Sequence, residues 1–331
     1  MRRVLHIVLP ALLVLGLAVL AVGCGGDDND SSSTTKDNVS LTQGKDLTIA
    51  VITHGAGDSF WAVAKKGAEQ AGKDMGVTVK YSESANDPQK QAQLIDAAVT
   101  EKVDGIATSA PNPDAIRDSL KKASDAGIPI ITLNSGQSDS ASLGAITHVG
   151  QDESVAGEAA GKRLAAGGAK KLACIVHEQG NIGLEQRCDG AKKGFGGEVE
   201  NVQVKGVDDI NTTLTEIQSK LESDDSIDAV LTLNPDIAIA ARDAIKGASS
   251  DAKLATFDLS GDVVQAIKDG EIEFAVDQQQ YLQGYLPVVF LTLYNTNNNT
   301  VGGGLPVLTG PGFVTKDNAD TVEKLAQEGT R

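Results

Sequence analysis

Aromatic side chains are scarce in this 331-residue sequence, at 3% of positions, with one tryptophan, two methionines and three cysteines. Three cysteines and four scattered histidines offer no metal-ligand spacing, so neither a structural nor a catalytic metal site is expected. Basic residues are also in deficit: Lys and Arg total 29 against 45 Asp and Glu, for a net charge of −16. Such a surface repels phosphate backbones and anionic headgroups, which argues against nucleic acid as a partner. Glycine-rich phosphate cradles are missing too. "HGAGDS", between the first apolar run and the first helical pattern, lacks both the third glycine of a dinucleotide fingerprint and the Lys-Ser/Thr of a P-loop. No Cys-His or Ser-His-Asp arrangement has a spacing that suits nucleophilic catalysis.

What is present begins with Arg2 and Arg3, followed by an apolar stretch from Val4 to Gly23. Its length would just span a bilayer. The small residues Ala21, Val22 and Gly23 before Cys24, and the polar stretch after it, favour a cleaved export signal over residues 1–23. "LAVGC" resembles the lipobox of bacterial lipoproteins, with Ala21 where leucine is commonest. The resemblance implies that Cys24 is lipidated and that the protein is extracytoplasmic, held at the cell membrane through a lipid anchor. Residues 24–45 have almost no apolar content and read as a flexible tether. Cys174 and Cys188 are then an even pair in an oxidising compartment. They lie in a strand-like and the following helix-like segment, which leaves two readings, a disulfide or two buried thiols.

From residue 46 onward, β-branched apolar runs alternate with helical patterns, and the alternation restarts after residue 150. Helices are expected over 60–76, 88–102, 114–127, 182–195, 211–222, 236–247, 261–270 and 281–294, several ending at a glycine suited to a C′ position. Continuous apolar strands between helices imply parallel sheets covered on both faces. The expected fold is therefore α/β, with two doubly wound parallel-sheet lobes joined by a three-segment hinge. The first lobe is assigned 46–149 plus 279–306, and the second 150–278 plus 307–331. Hinge segments are expected near Val149-Gly150, Gln278-Gln280 and Pro306-Thr309.

In open α/β sheets, ligands bind beyond the carboxyl ends of the strands. The first unit places Asp58, Phe60, Trp61 and Asn134 there; the second places His177, Glu178, Asn234, Asp258 and Gln278. Carboxylates accept hydrogen bonds, carboxamides accept and donate, and flat rings suit the C–H faces of a sugar. The inventory suits a neutral molecule rich in hydroxyls, which explains why two of so few aromatics stand side by side in the turn "DSFW".

The segments "DSFW", "AGIPIITLNS", "HVGQDESVAGEAAGKRLA", "EQRCDGAKKGF", "LTLNPDIAIAA", "LATFDLSGDVVQAIKDG" and "FAVDQQQYLQGY" occur in that order. From Leu47 to about Thr315 the chain thus resembles periplasmic substrate-binding proteins of the ribose-binding type, which serve ABC importers and have the type I fold. The resemblance implies ligand contacts from Asp58, Phe60, Trp61, Asn134, Arg187, Asn234, Asp258 and Gln278. It implies no cofactor, no enzymatic activity, a monomer, and a permease with its ATPase as partners. Ribose-binding relatives commonly carry Asp-Arg where this chain has Asn134-Ser135, and Asp58 stands where asparagine is usual. The expected ligand is therefore a monosaccharide other than ribose, or a sugar alcohol, and not a phosphorylated sugar. Alternatives are a sugar-sensing receptor with the same fold and, ranked lower, a hydrolase using Asp58 and Asp258. His148 and His177 are expected to be structural.

Overall fold

A computed structural model describes residues 46–331. The export signal, the tether and Cys24 lie outside the described residues. The first lobe opens with β1 (Thr48–Thr53), α1 (Ser59–Met75), β2 (Thr78–Glu83), α2 (Pro88–Thr100), β3 (Gly105–Ser109), α3 (Pro113–Asp125), β4 (Ile130–Leu133) and β5 (Thr147–Gln151). The second runs through α4 (Glu153–Ala166), β6 (Lys171–Val176), α5 (Ile182–Phe195), β7 (Glu198–Gln203), α6 (Ile210–Ser223), β8 (Ala229–Thr232), α7 (Pro235–Gly247), β9 (Lys253–Phe257), α8 (Gly261–Asp269) and β10 (Phe274–Asp277). α9 (Gln280–Asn297) returns to the first lobe, and β11 (Val307–Gly310), β12 (Gly312–Thr315) and α10 (Glu323–Gln327) complete the described chain.

The strands make two six-stranded sheets, ordered β11-β5-β4-β3-β1-β2 and β12-β10-β9-β8-β6-β7. Every pairing is parallel except β10 with antiparallel β12. The two orders match position by position, so the alternation seen twice in the sequence is one five-stranded parallel topology built twice, with edge strands β11 and β12 of opposite direction added. Each inner strand buries both faces, while the edge strands β2, β7, β11 and β12 are only partly buried. In β1, Ile49 and Val51 pack into a core shared with α1 and α9, while Ala50 and Ile52 face a core shared with α2 and α3. In β6, Ala173 and Ile175 point one way and Leu172, Cys174 and Val176 the other. Two-sided burial is why these strands read as unbroken apolar runs.

The chain passes between sheets after β5, between β10 and α9, and between β11 and β12. The third passage lies at Gly310-Pro311, beyond the expected boundary at 306/307, because Val307 pairs with Val149 and Gly310 with Gln151 in the first sheet. Periodicity also gave no helix for α4. Its residues are mostly small, so its apolar face contrasts weakly with the rest. Small residues serve a close approach to α5 instead: a Cβ on Gly157 would sit 2.1 Å from the carbonyl oxygen of Arg187. Cys174 on β6 and Cys188 on α5 are joined by a disulfide, with Cα atoms 5.9 Å apart.

Candidate functional site

Strand-end turns of both sheets meet in a cleft between the lobes, with about 310 Å³ of space partly open to solvent. All eight residues expected to contact ligand line it, and every one is at most 6% exposed. From the first lobe, Asp58 caps α1, its carboxylate accepting the Trp61 N–H at 2.8 Å. That cap fixes the turn that carries Phe60 and Trp61. Their rings meet edge to face with centroids 4.8 Å apart, and Trp61 stands in the same relation to His54 at 4.9 Å. Both rings also pack into the first lobe's core, so the turn serves site and fold together.

Asn134 follows β4 and Asp258 follows β9, at corresponding places in the two sheets. Both are non-glycine residues with positive φ, 59° and 70°. That backbone region is disfavoured for side chains with a Cβ and is tolerated best by Asn and Asp. Here it turns the chain sharply at the sheet rim and aims the side chains into the cleft. Asn134 donates to Gln283 at 3.3 Å, and Gln278 donates to Asp258 at 2.8 Å while accepting from Gln283.

Asn234 has two roles. Its side-chain oxygen accepts from the Asp236 and Ile237 N–H groups, capping α7, and its amide donates to Asp58 across the cleft at 3.0 Å.

Arg187 lines the cleft, but its charge is matched by a partner distant in sequence. Glu153, the first residue of α4, accepts from Nε at 2.6 Å and from Nη2 at 2.9 Å. Nη1 donates to the Leu233 carbonyl at 3.1 Å and lies 3.9 Å from Asp258, and the guanidinium stands 4.5 Å from the Phe257 ring centroid. Glu153 is 34 residues distant in sequence, and only the α4–α5 packing brings it near.

Burial dominates the acidity of the site. Asp58 is pushed up to about 8 by loss of solvent, opposed by the Trp61 N–H and reinforced by Glu178 and Asp236. Asp258 is pushed up to about 7 for the same reason, with Arg187 and Gln278 opposing. Burial drives His177 down to about 4, so its imidazole is neutral. Burial also works to raise Glu178, but the neighbouring His54 outweighs it and holds the carboxyl below its usual range.

His177 and Glu178 line the cleft, as do Ser135, Asn181, Leu184 and Leu233. The internal duplication is a signal for Asn181: it caps the first helix after the first strand of its lobe, as Asp58 does in the other. His148 sits in the core of the first lobe beside Thr132 and takes no part. Further contacts hold the lobes together: the Ser59 N–H donates to Asp236 at 3.0 Å and the Ile182 N–H to the Pro111 carbonyl at 3.1 Å. The arrangement therefore offers carboxyls, carboxamides, one guanidinium and two rings to a molecule enclosed on both sides.

A family profile described as a periplasmic binding protein domain matches residues 49–296. A ribose import binding protein (RbsB) of Haemophilus influenzae is 25% identical over 285 residues, 85% of this chain and 90% of the relative. A carbohydrate transporter from Acidothermus cellulolyticus 11B, solved in complex with myo-inositol, is 45% identical. The match covers 86% of this chain and 99% of that one, with a TM-score of 0.84. An ABC transporter solute-binding protein from Agrobacterium vitis with bound D-fucose is 27% identical over 85% of this chain and 99% of the other, with a TM-score of 0.76.

Proposed function

The chain belongs to the periplasmic binding protein family, and we propose that it captures a neutral, ring-shaped polyol or monosaccharide between its lobes for an ABC importer. It is a type I sugar-binding protein of the extracytoplasmic space and not an enzyme. The finer reading is that the ligand is a cyclitol or an uncharged monosaccharide, with myo-inositol the first candidate. One observation carries it: eight residues expected from sequence, drawn from both lobes, line one cleft and combine hydroxyl-binding groups with a pair of rings.

Charge supports an uncharged ligand. Glu153 already neutralises Arg187, so a phosphate would meet Asp58 and Asp258 without a free cation opposite. A hydroxyl, in contrast, donates to a carboxylate or accepts from a protonated carboxyl, and both acids are poised near neutrality. In binding, ligand hydroxyls replace the Asn234–Asp58 hydrogen bond with bonds to each partner. The ring faces of Phe60 and Trp61 take the carbon skeleton. Because ligand touches both rims, its affinity includes the open-to-closed balance of the lobes. We read Cys24 as the lipid attachment point and the protein as a monomer; radiolabelled fatty-acid incorporation lost in Cys24→Ala tests the anchor.

Calorimetric titration with myo-inositol, D-ribose, D-fucose, D-galactose and linear polyols tests the ligand class. Tight binding of a neutral ring compound is expected, with no heat from sugar phosphates. Preference for a phosphorylated or linear compound would overturn the reading.

A further inference from the structure

Three residues of the ligand site, His177, Glu178 and Asn181, have a second space on their other side. It comprises about 880 Å³ including its opening to solvent, against about 310 Å³ on the same basis for the ligand site itself. Both lobes wall it: the first supplies His54, Asn86, Gln91 and Asn112, and the second supplies Gln179 and the turn from Lys205 to Asp208. A space walled by both lobes takes shape as they close, so a group held there is coupled to the same closure as one held in the inner cleft.

The lining chemistry is that of the inner site without its rings. Carboxamides predominate, and Asp87, Glu178 and Asp208 outnumber Lys205, which disfavours anions. Asn112 begins α3 at the place where Asn234 begins α7 in the other lobe. Asn234 spends its side-chain oxygen on capping, whereas Asn112 makes no side-chain cap bond.

The partition itself is made of side chains. Glu178 accepts from Asn181 at 2.6 Å and lies 3.4 Å from His54 Nε2, across the lobes. Asn181 is fixed by capping α5, whereas Glu178 is held by these contacts and by His177 Nε2 at 3.9 Å, two residues before Gly180, whose φ is 74°. Rotation of one side chain would join the two spaces.

We infer that the outer space is a second subsite, for a neutral hydroxyl-rich ring joined by a glycosidic bond to the ring in the inner cleft. The protein then captures two-ring glycosides, such as a glycosyl-cyclitol or a disaccharide, as well as single rings. Glu178 and Asn181 lie at the junction, where they exchange their mutual hydrogen bond for bonds to hydroxyls flanking the linkage. This inference rests on the ligand class proposed above.

The test is calorimetry on the protein with single-ring probes (myo-inositol, D-galactose, D-fucose) and two-ring probes (galactosyl-myo-inositol, melibiose, trehalose). At least one two-ring probe is expected to bind within tenfold of the best single-ring probe. Asn112→Trp, which fills only the outer space, is expected to weaken that two-ring probe at least tenfold and leave the single-ring probe within twofold. Asn112→Ala, with an unchanged melting temperature, should weaken the two-ring probe by a smaller factor. Single-ring binding with no two-ring binding overturns the subsite, as does equal weakening of both sizes by Asn112→Trp. Failure of every probe overturns the proposed ligand class and the subsite with it.

Discussion

The amide of Asn234 donates to the carboxylate of Asp58 at 3.0 Å, joining the rims of two lobes through residues 176 positions apart in the chain. Each residue also caps its own helix, so the contact connects the starts of α1 and α7. Opening the lobes breaks this bond and returns Asp58 to water.

Lobe closure of the ligand-free protein should therefore depend on pH. Asp58 is raised from 3.8 to about 8, and Asp258 from 3.8 to about 7, both mainly by burial. A raised carboxyl favours the closed, folded form fully below its ordinary value, and that contribution is lost as pH rises through the raised value. Small-angle scattering of ligand-free protein should show a larger radius of gyration at pH 9 than at pH 5. Asp58→Asn, which removes the Asp58 titration and keeps an oxygen acceptor, should reduce the change to the part due to Asp258. A radius constant over that range in the parent protein would refute the linkage.

Arg187 and Glu153 form a buried, two-pronged pair at 4% and 2% side-chain exposure. Removing one partner strands the other, at a cost of about 3–5 kcal/mol. Glu153→Ala should lower unfolding free energy by that order in urea titration. Arg187→Ala should do likewise and also weaken ligand at least tenfold, since about 2 kcal/mol is typical for a lost charged hydrogen bond. Native affinity in a folded Arg187→Ala protein would remove Arg187 from the ligand contacts.

Trp61 is the sole tryptophan, so intrinsic emission reports on one side of the cleft. Saturating ligand should shift or quench it. Trp61→Leu should reduce affinity and, because the ring also packs into the first lobe's core, lower the melting temperature. Phe60→Leu provides the comparison, and unchanged affinity in both variants would exclude ring stacking.

Asp236 accepts from Ser59 across the lobes and is not among the residues lining the inner cleft. Asp236→Ala should weaken ligand several-fold through the closed population alone. In stopped-flow measurements the loss should fall mainly on the dissociation rate. An affinity unchanged by the substitution would show that this contact does not bias closure.

The Cys174–Cys188 bridge closes a loop with a separation of 14 residues. In the chain-entropy model such a loop contributes roughly 3 kcal/mol. Reduction, or Cys188→Ala, should lower the urea midpoint without altering ligand selectivity. Identical midpoints with and without reductant would show that the bridge adds nothing to stability.

Most of the architecture was legible because its signals are local. Two-sided burial writes β1, β4, β6 and β9 as apolar runs, and the cap at Asp87 followed by Pro88 marks the start of α2 within the chain itself. Helix α4 was not legible by periodicity, since alanine and glycine suit both its buried and exposed faces. Seven of the eight cleft residues follow strand ends, where topology alone predicts convergence; Arg187, inside α5, was indicated by the family resemblance instead. What sequence spacing could not supply was pairing across distance. Glu153 meets Arg187 only because glycines let α4 and α5 approach, and the third passage between lobes shifted because β11 found an edge of the first sheet.

That last strand pair has a consequence for how the protein tolerates damage. β11 covers the rim of β5 in one sheet, and β12, two residues later, covers the rim of β10 in the other. Loss of the segment from Val307 onward would leave the fully buried strands β5 and β10 as new sheet edges, one on each lobe, and such edges recruit strands from other molecules. These two short edge strands, one per sheet, thus guard both halves against self-association, and protein lacking them should fail by clumping before it fails by losing its sugar.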